Sequence, residues 1–112
     1  MKPLHLNRRL VLEAPTRESD GAGGYRVVWT PLGELWADVK ARSGRELSQA
    51  GVPVSRMGYA ICVRAAPMHS AERPQPQQRF RDGTRVYSIE TVAERDPQGR
   101  YLLCLTQEEL IV

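Results

Sequence analysis

Eight of the chain's sixteen basic side chains gather in two stretches. Lys40, Arg42, Arg45 and Arg56 lie in or beside residues 43–58, offset only by Glu46, and Arg73, Arg79, Arg81 and Arg85 follow closely on one another further along. Guanidinium and ammonium groups so placed bind phosphates without reading base sequence, and such binding weakens as salt rises. A solvated surface has the same composition and is the favoured reading on charge alone. Trp29, Trp36 and Tyr59 add flat rings of the kind that stack on unpaired bases, although on the strands of a small domain such rings more often fill a core or a subunit interface.

Other chemistry finds no constellation. His5 and His69 stand far apart, with no cysteine or carboxylate at ligand spacing, so no metal site is expected. Cys62 and Cys104 sit in no activating motif, and Ser43, Ser48, Ser55, Ser70 and Ser88 lack the strand-turn-helix context of an activated nucleophile. The carboxylates are scattered over turns and strand faces, so no general acid and base can be paired. The segment Gly21-Ala22-Gly23-Gly24 is followed by no Gly-Lys-Ser/Thr and opens no helix, which makes it a plain loop rather than a phosphate cradle. The sequence therefore predicts neither an enzyme nor a cofactor. Two buried reduced thiols are the simplest account of the cysteines; a disulfide would need their strands to be neighbours and an oxidising compartment.

A length of 112 residues suits one domain with one modest core. Hydrophobic residues make up 41% and charged residues 26%, a balance that folds. No apolar run approaches the ~20 residues that cross a bilayer, and the N-terminus lacks the apolar segment of a secretory signal, so no membrane partner and a cytoplasmic origin are expected. The net charge of +3 is unevenly spread: residues 1–89 hold 14 basic and 8 acidic side chains, residues 90–112 hold 2 and 5. That polarity fits one anionic and one basic contact.

The elements that must position these groups read as strands. Leu10 and Leu12 alternate in a first strand that ends near Ala14 and Pro15, and residues 15–24, rich in glycine, read as a flexible hairpin loop. A strand then begins at Tyr25, is interrupted at Pro31 and Gly33, and resumes over residues 35–41, where period two is preferred over a competing helical stripe. Residues 59–64 alternate again. A second long connection, residues 66–78, is stiffened by Pro74 and Pro76. Asp82-Gly83 between alternating stretches predicts a type I′ hairpin turn, with Val86 across from Phe80. Residues 101–106 form the last strand, and residues 107–112 are open to a strand, a helical turn or a tail. About six antiparallel strands with two long loops and no sizeable helix predict an all-β fold, a small closed barrel or a sandwich.

Residues 35–64 are the most informative stretch, two strand-like segments joined by a long polar connection that includes residues 43–58. A connection of that length between neighbouring strands is usually a binding or gating loop. The order of the features resembles the phage head-tail adaptor or head-completion family, the connectors called stoppers, found in tailed bacteriophages and gene transfer agents. The resemblance rests on the basic strand of residues 5–15, the Trp-bearing residues 35–46, the strand 59–67, the hairpin 79–96 and the closing strand 101–109, and so covers nearly the whole chain. It implies a small antiparallel β-barrel that works as a ring of copies, commonly six, at the head-tail junction of a virion or phage-like particle. There the ring would lie below the portal and adaptor rings, retain packaged double-stranded DNA and offer a docking surface to a tail terminator or tail tube protein.

The family's channel loop falls on residues 43–58. Within it Gly44, Gly51 and Gly58 are candidate hinges. Arg45 and Arg56, with Lys40 and Arg42 beside them, are candidates for DNA phosphates, and Val52 and Val54 for packing of loop against loop. Ser43, Glu46, Leu47, Ser48, Gln49, Ala50, Pro53, Ser55 and Met57 complete the gate. Trp36, Tyr59, Glu108 and Glu109 are the candidates for subunit or partner contacts. The alternative from a different class is an OB-like barrel that binds single-stranded nucleic acid through its rings and cations.

Overall fold

The computed structural model describes residues 3–49 and 52–109, and along 43–49 and 52–55 it describes the backbone alone. Six strands follow one another: β1 (Arg8–Ser19), β2 (Tyr25–Gln49), β3 (Val52–Arg64), β4 (Arg79–Asp82), β5 (Arg85–Glu94) and β6 (Tyr101–Glu108). All pairings are antiparallel, and the sheet closes on itself in the order β1-β2-β3-β6-β5-β4, with β4 returning to β1 through Val11↔Arg81, Leu12↔Phe80 and Glu13↔Arg79. The barrel interior holds Leu10, Leu12, Ala37, Ile61, Val63, Phe80, Tyr87, Ile89, Leu102 and Cys104. Closure gives every barrel strand two neighbours, which removes the unpaired edges that make open sheets stick.

β2 departs from the sequence reading most. A straight strand of 25 residues would run about 80 Å at roughly 3.3 Å per residue, yet the longest dimension of the molecule is 49 Å. The strand therefore bends, and the register shows where. Leu12 pairs with Gly33 and Glu13 with Pro31, leaving Leu32 as an extra residue, and Ala41 pairs with Tyr59 and Ser43 with Gly58, leaving Arg42 as another. Each is a β-bulge, which turns the strand sharply without ending it. The predicted break at Pro31 and Gly33 is such a bulge, inside one continuous strand. Gly33 also makes room for the neighbouring loop, since a Cβ there would meet the Glu72 Cγ at 3.2 Å.

The two bulges mark where β2 leaves the barrel at either end. On one side β1 and β2 continue as a two-stranded ribbon to Ser19↔Tyr25, so residues 15–24 are not a loop over their length; the turn is confined to residues 20–24. Asp20 closes it by accepting the Ala22 and Gly24 N–H groups at 2.8 and 3.0 Å. On the other side β2 and β3 stay paired to Gln49↔Val52. Residues 43–49 and 52–58, expected to lie in an irregular connection, are thus paired strands of a long arm. The two arms stretch the chain to a radius of gyration of 15.4 Å, against about 13 Å for a compact domain of this length.

Two smaller points differ or hold. The Asp82-Gly83 hairpin forms, but Phe80 faces Tyr87 and Val86 faces Arg81. Of the two central residues Gly83 and Thr84 only Gly83 has positive φ (62°), which is the type II′ pattern rather than type I′. Residues 66–78 remain without strand or helix but are packed down: the Ile89 N–H donates to the Gln78 carbonyl and the Gln77 N–H to the Ile89 carbonyl, at 2.9 and 3.1 Å.

Candidate functional site

The β2–β3 arm begins at the Arg42 bulge. There the Arg42 guanidinium lies 3.9 Å from Glu90, itself the extra residue of a bulge in β5. Beyond this root the two strands pair only with each other except at Gly58, which is buried and also faces Gln107 of β6. Register sets Arg45 directly opposite Arg56 and Leu47 opposite Val54. Arg56 and Met57 are exposed, and Lys40 is exposed on β2 just before the root. Ala50 and Gly51 lie outside the described residues, as do the side chains of Ser43, Arg45, Glu46, Leu47, Ser48, Gln49, Val52, Pro53, Val54 and Ser55. The hinge at Gly51 and the valine packing fall there too. Gly44 is paired with Met57 within the arm.

The second basic cluster is spent inside the molecule. The Arg79 and Arg81 Nε groups donate to the two carboxylate oxygens of Glu13 at 2.7 and 3.0 Å, and the Glu13 side chain is only 4% exposed. The Arg79 guanidinium also lies over Trp29, 4.1 Å from the ring centre. Arg73 donates to the Ala66 carbonyl at 2.8 Å. Arg85 grips Glu108 with two hydrogen bonds, 2.7 and 3.1 Å, and donates to the Tyr59 hydroxyl at 3.1 Å. Its guanidinium is held well above its usual pKa range, first by the hydrogen bond to Glu108. These four arginines are fasteners, whereas Lys40 and Arg56 at the arm are exposed.

The rings are engaged in the same way. Tyr59 packs edge-on against Tyr87 at 5.2 Å, and Trp29 is covered by Arg79. Trp36 alone of the three candidates is open, 56% exposed, in a shallow groove with Leu6 and Arg64. Glu108 is tied to Arg85, while the Glu109 carboxylate accepts from the Ser88 hydroxyl and its N–H donates to the Val86 carbonyl. Residues 107 and 108 complete β6, and residues 110–112 lie outside the described residues.

Several partners could not be read from the sequence. Glu13 meets arginines 66 and 68 positions away, and Arg8 meets Asp82 at 2.6 Å across 74. Asp38, which faces away from the barrel interior that holds Ala37, is buried because the N-terminal segment crosses it and the His5 N–H donates to its carboxylate at 2.8 Å. The cysteines are free and buried. Their strands are neighbours, but register pairs Cys62 with Leu103 and Cys104 with Ile61, so the two thiols point to opposite faces of the sheet. Burial pushes the Cys104 thiol up to about 12 and raises that of Cys62 as well.

Comparison with known proteins follows this geometry. The family model described as phage head completion protein matches residues 1–109. A chain in the structure of the virion of a native gene transfer agent particle is 49% identical, covers 99% of this chain and 100% of its own, and superposes with a TM-score of 0.85. Protein SF1141 from Shigella flexneri 2a shares the fold, with a TM-score of 0.69 at 20% identity over 100% of both chains. No curated protein matches the chain.

Proposed function

The chain belongs to the phage head completion protein family, and on that premise we propose that it is a structural, non-catalytic connector at the head-tail junction of a virion or phage-like particle. In this reading copies form a ring, six being the expected number, beneath the portal and adaptor rings. The ring retains packaged double-stranded DNA and presents the surface on which the tail terminator or tail tube protein docks.

The observation that carries this reading is the β2–β3 arm. It leaves the barrel as a two-stranded ribbon, and register opposes Arg45 and Arg56 along it. A ring would bring one such pair per copy toward a common axis, so that individually weak phosphate contacts add through symmetry. Binding of that kind is indifferent to base sequence and falls with salt, as a plug on any packaged genome requires. The single-stranded nucleic acid alternative loses support, because Trp29 and Tyr59 are occupied by Arg79, Arg85 and Tyr87.

Replacing residues 47–54 by a two-residue turn tests the proposal. The barrel is expected to keep its unfolding temperature within a few degrees, since the excised pairs lie outside the core, while particles assembled with the variant lose DNA or fail to join tails. DNA-filled, infective or transducing particles at normal yield would refute the gate. A parallel Arg45→Glu, Arg56→Glu variant separates charge from bulk: its DNA loss is expected to exceed that of the unaltered particle most at low salt, where the arginine–phosphate contacts are strongest, and the two to converge as salt rises.

A further inference from the structure

The outside of the barrel has two unlike sides. Around β1, β4 and β5 the outward positions carry Glu13, Arg79, Arg81 and Ser88 beside Val11 and Val86, the polar ones engaged in the Glu13 ion pairs and the Ser88–Glu109 hydrogen bond. Around β3 and β6 they do not. β6 reads Tyr-Leu-Leu-Cys-Leu-Thr; Leu102, Cys104 and Thr106 are buried inside, and Tyr101, Leu103 and Leu105 face outward, only half-buried. Ala60 lies opposite Leu105 on the same outer surface; Cys62, opposite Leu103, is buried beside Asp38 where the N-terminal segment crosses, and Trp36 with Leu6 and Arg64 forms the rim. An antiparallel strand with one wet face alternates apolar and polar residues; a strand apolar on both faces is one that is covered on both.

The β1–β2 arm carries the complementary feature. Register places Ser19, Arg17 and Pro15 opposite Tyr25, Val27 and Trp29, so these six residues share one face of the ribbon. Trp29, at the root, is capped by Arg79, but Tyr25 is 66% and Val27 58% exposed, with only the Arg17 guanidinium over the tyrosine ring at 4.8 Å. Within one chain this stripe and the β3–β6 face do not meet. Both are sheet surfaces, and sheets pack face to face about 10 Å apart.

We propose that the Tyr25–Val27 face of the β1–β2 arm of one copy packs on the outer β3–β6 face, around Leu103, Leu105 and Ala60, of a second copy of this chain. The proposal rests on the ring reading and names its contact. Two different patches on one chain make a heterologous interface, in which every copy gives an arm and receives one, so that both apolar surfaces are covered throughout once the ring closes. A different partner would cover one patch and leave the other bare. The contact is small, a few side chains against roughly 800 Å² per partner in a standard interface, so it is weak between free copies and is filled when assembly raises their effective concentration.

Cysteine cross-linking in assembled particles tests this. In a Cys62→Ala background, Val27→Cys with Leu105→Cys, or with Leu103→Cys where the first pair assembles poorly, is expected to yield on oxidation a ladder of multimers of this chain. The yield should be roughly tenfold or more above that of Val28→Cys with the same partner, because Val28 lies on the other face of the ribbon. Monomers only from the Val27 pairs, in particles where formaldehyde links copies to each other, would overturn the contact and leave the ring standing. A cross-link from Val27→Cys to a different protein would also overturn it. No multimers by either chemistry would remove the ring reading and the contact together.

Discussion

Removing the Glu13 carboxylate is the sharpest test of how the barrel is closed. Glu13 sits opposite the Leu32 bulge of β2, where the β1–β2 arm leaves the barrel, and its carboxylate receives the Nε groups of Arg79 and Arg81 on the closing strand. In Glu13→Ala both guanidiniums lose their anion. Charge-assisted hydrogen bonds contribute roughly 1.5–3 kcal/mol each, and breaking a fully buried pair costs roughly 3–5 kcal/mol. Arg81 is 43% exposed and regains water, so its share lies near the bottom of the range. Arg79 is 18% exposed, pressed against Trp29, and regains little. The expected loss is about 3 kcal/mol, or a fall in unfolding temperature of roughly 12 °C for a domain of this size. Urea unfolding followed by tryptophan fluorescence measures it, and reports on the site directly because Trp29 lies under Arg79. A double-mutant cycle with Arg79→Ala should return a coupling above about 1 kcal/mol, and the cycle with Arg81→Ala a smaller one. A loss under about 1 kcal/mol for Glu13→Ala, or no coupling to Arg79, would refute the reasoning and leave closure to the apolar core alone.

Two further outcomes follow from local chemistry. Gly83 holds a φ of +62° with nothing within 4 Å of an added Cβ, so Gly83→Ala meets no clash and costs only the left-handed backbone, about 1 kcal/mol in urea unfolding, with Gly83→Asn costing less. Cys104 sets an alkaline limit. Its thiol titrates at about 12 in the fold against 9.0 in the open chain, so its contribution is fully present below pH 9 and is lost as pH rises toward 12, where only the unfolded chain has ionised. Thermal melts should therefore fall more steeply between pH 9 and 11 for the native chain than for Cys104→Val, and equal slopes would contradict the assignment.

The sequence disclosed the strands that have a buried face to advertise. Residues 101–106, 85–92 and 59–64 alternate or run apolar because they wall the core, and the Asp-Gly pair marked their hairpin. It concealed the arms, for a physical reason: a ribbon beyond the barrel buries neither face, so nothing compels its residues to alternate. Pro15 and Pro31 looked like strand ends, but on a two-stranded ribbon or at a bulge a proline gives up no ladder hydrogen bond. The basic residues were visible as clusters, yet their division into fasteners and free charge depended on Glu13, Glu90 and Glu108, whose approach is set by closure of the barrel.

Closure itself explains why the arms and the β3–β6 face carry the assembly argument. A barrel with no open edge cannot recruit a neighbour by adding a strand, so its copies must meet through side-chain surfaces or through segments that extend past the barrel. This chain invests its length in such segments: β2 and its partners continue well beyond the residues that line the core, at both ends. An isolated two-stranded ribbon is marginally stable in water, and the β1–β2 arm in addition leaves Tyr25 and Val27 uncovered. Both costs are offset only when something packs on the ribbon. Each copy offers that cover for the β1–β2 arm on its own outer β3–β6 face, which leaves the β2–β3 arm, with Arg45 opposite Arg56, as the one to be met by an anion. Variants that damage the first arm should therefore lower incorporation into particles, whereas variants that neutralise the second should incorporate normally and lose DNA; the reverse pattern would exchange the two roles.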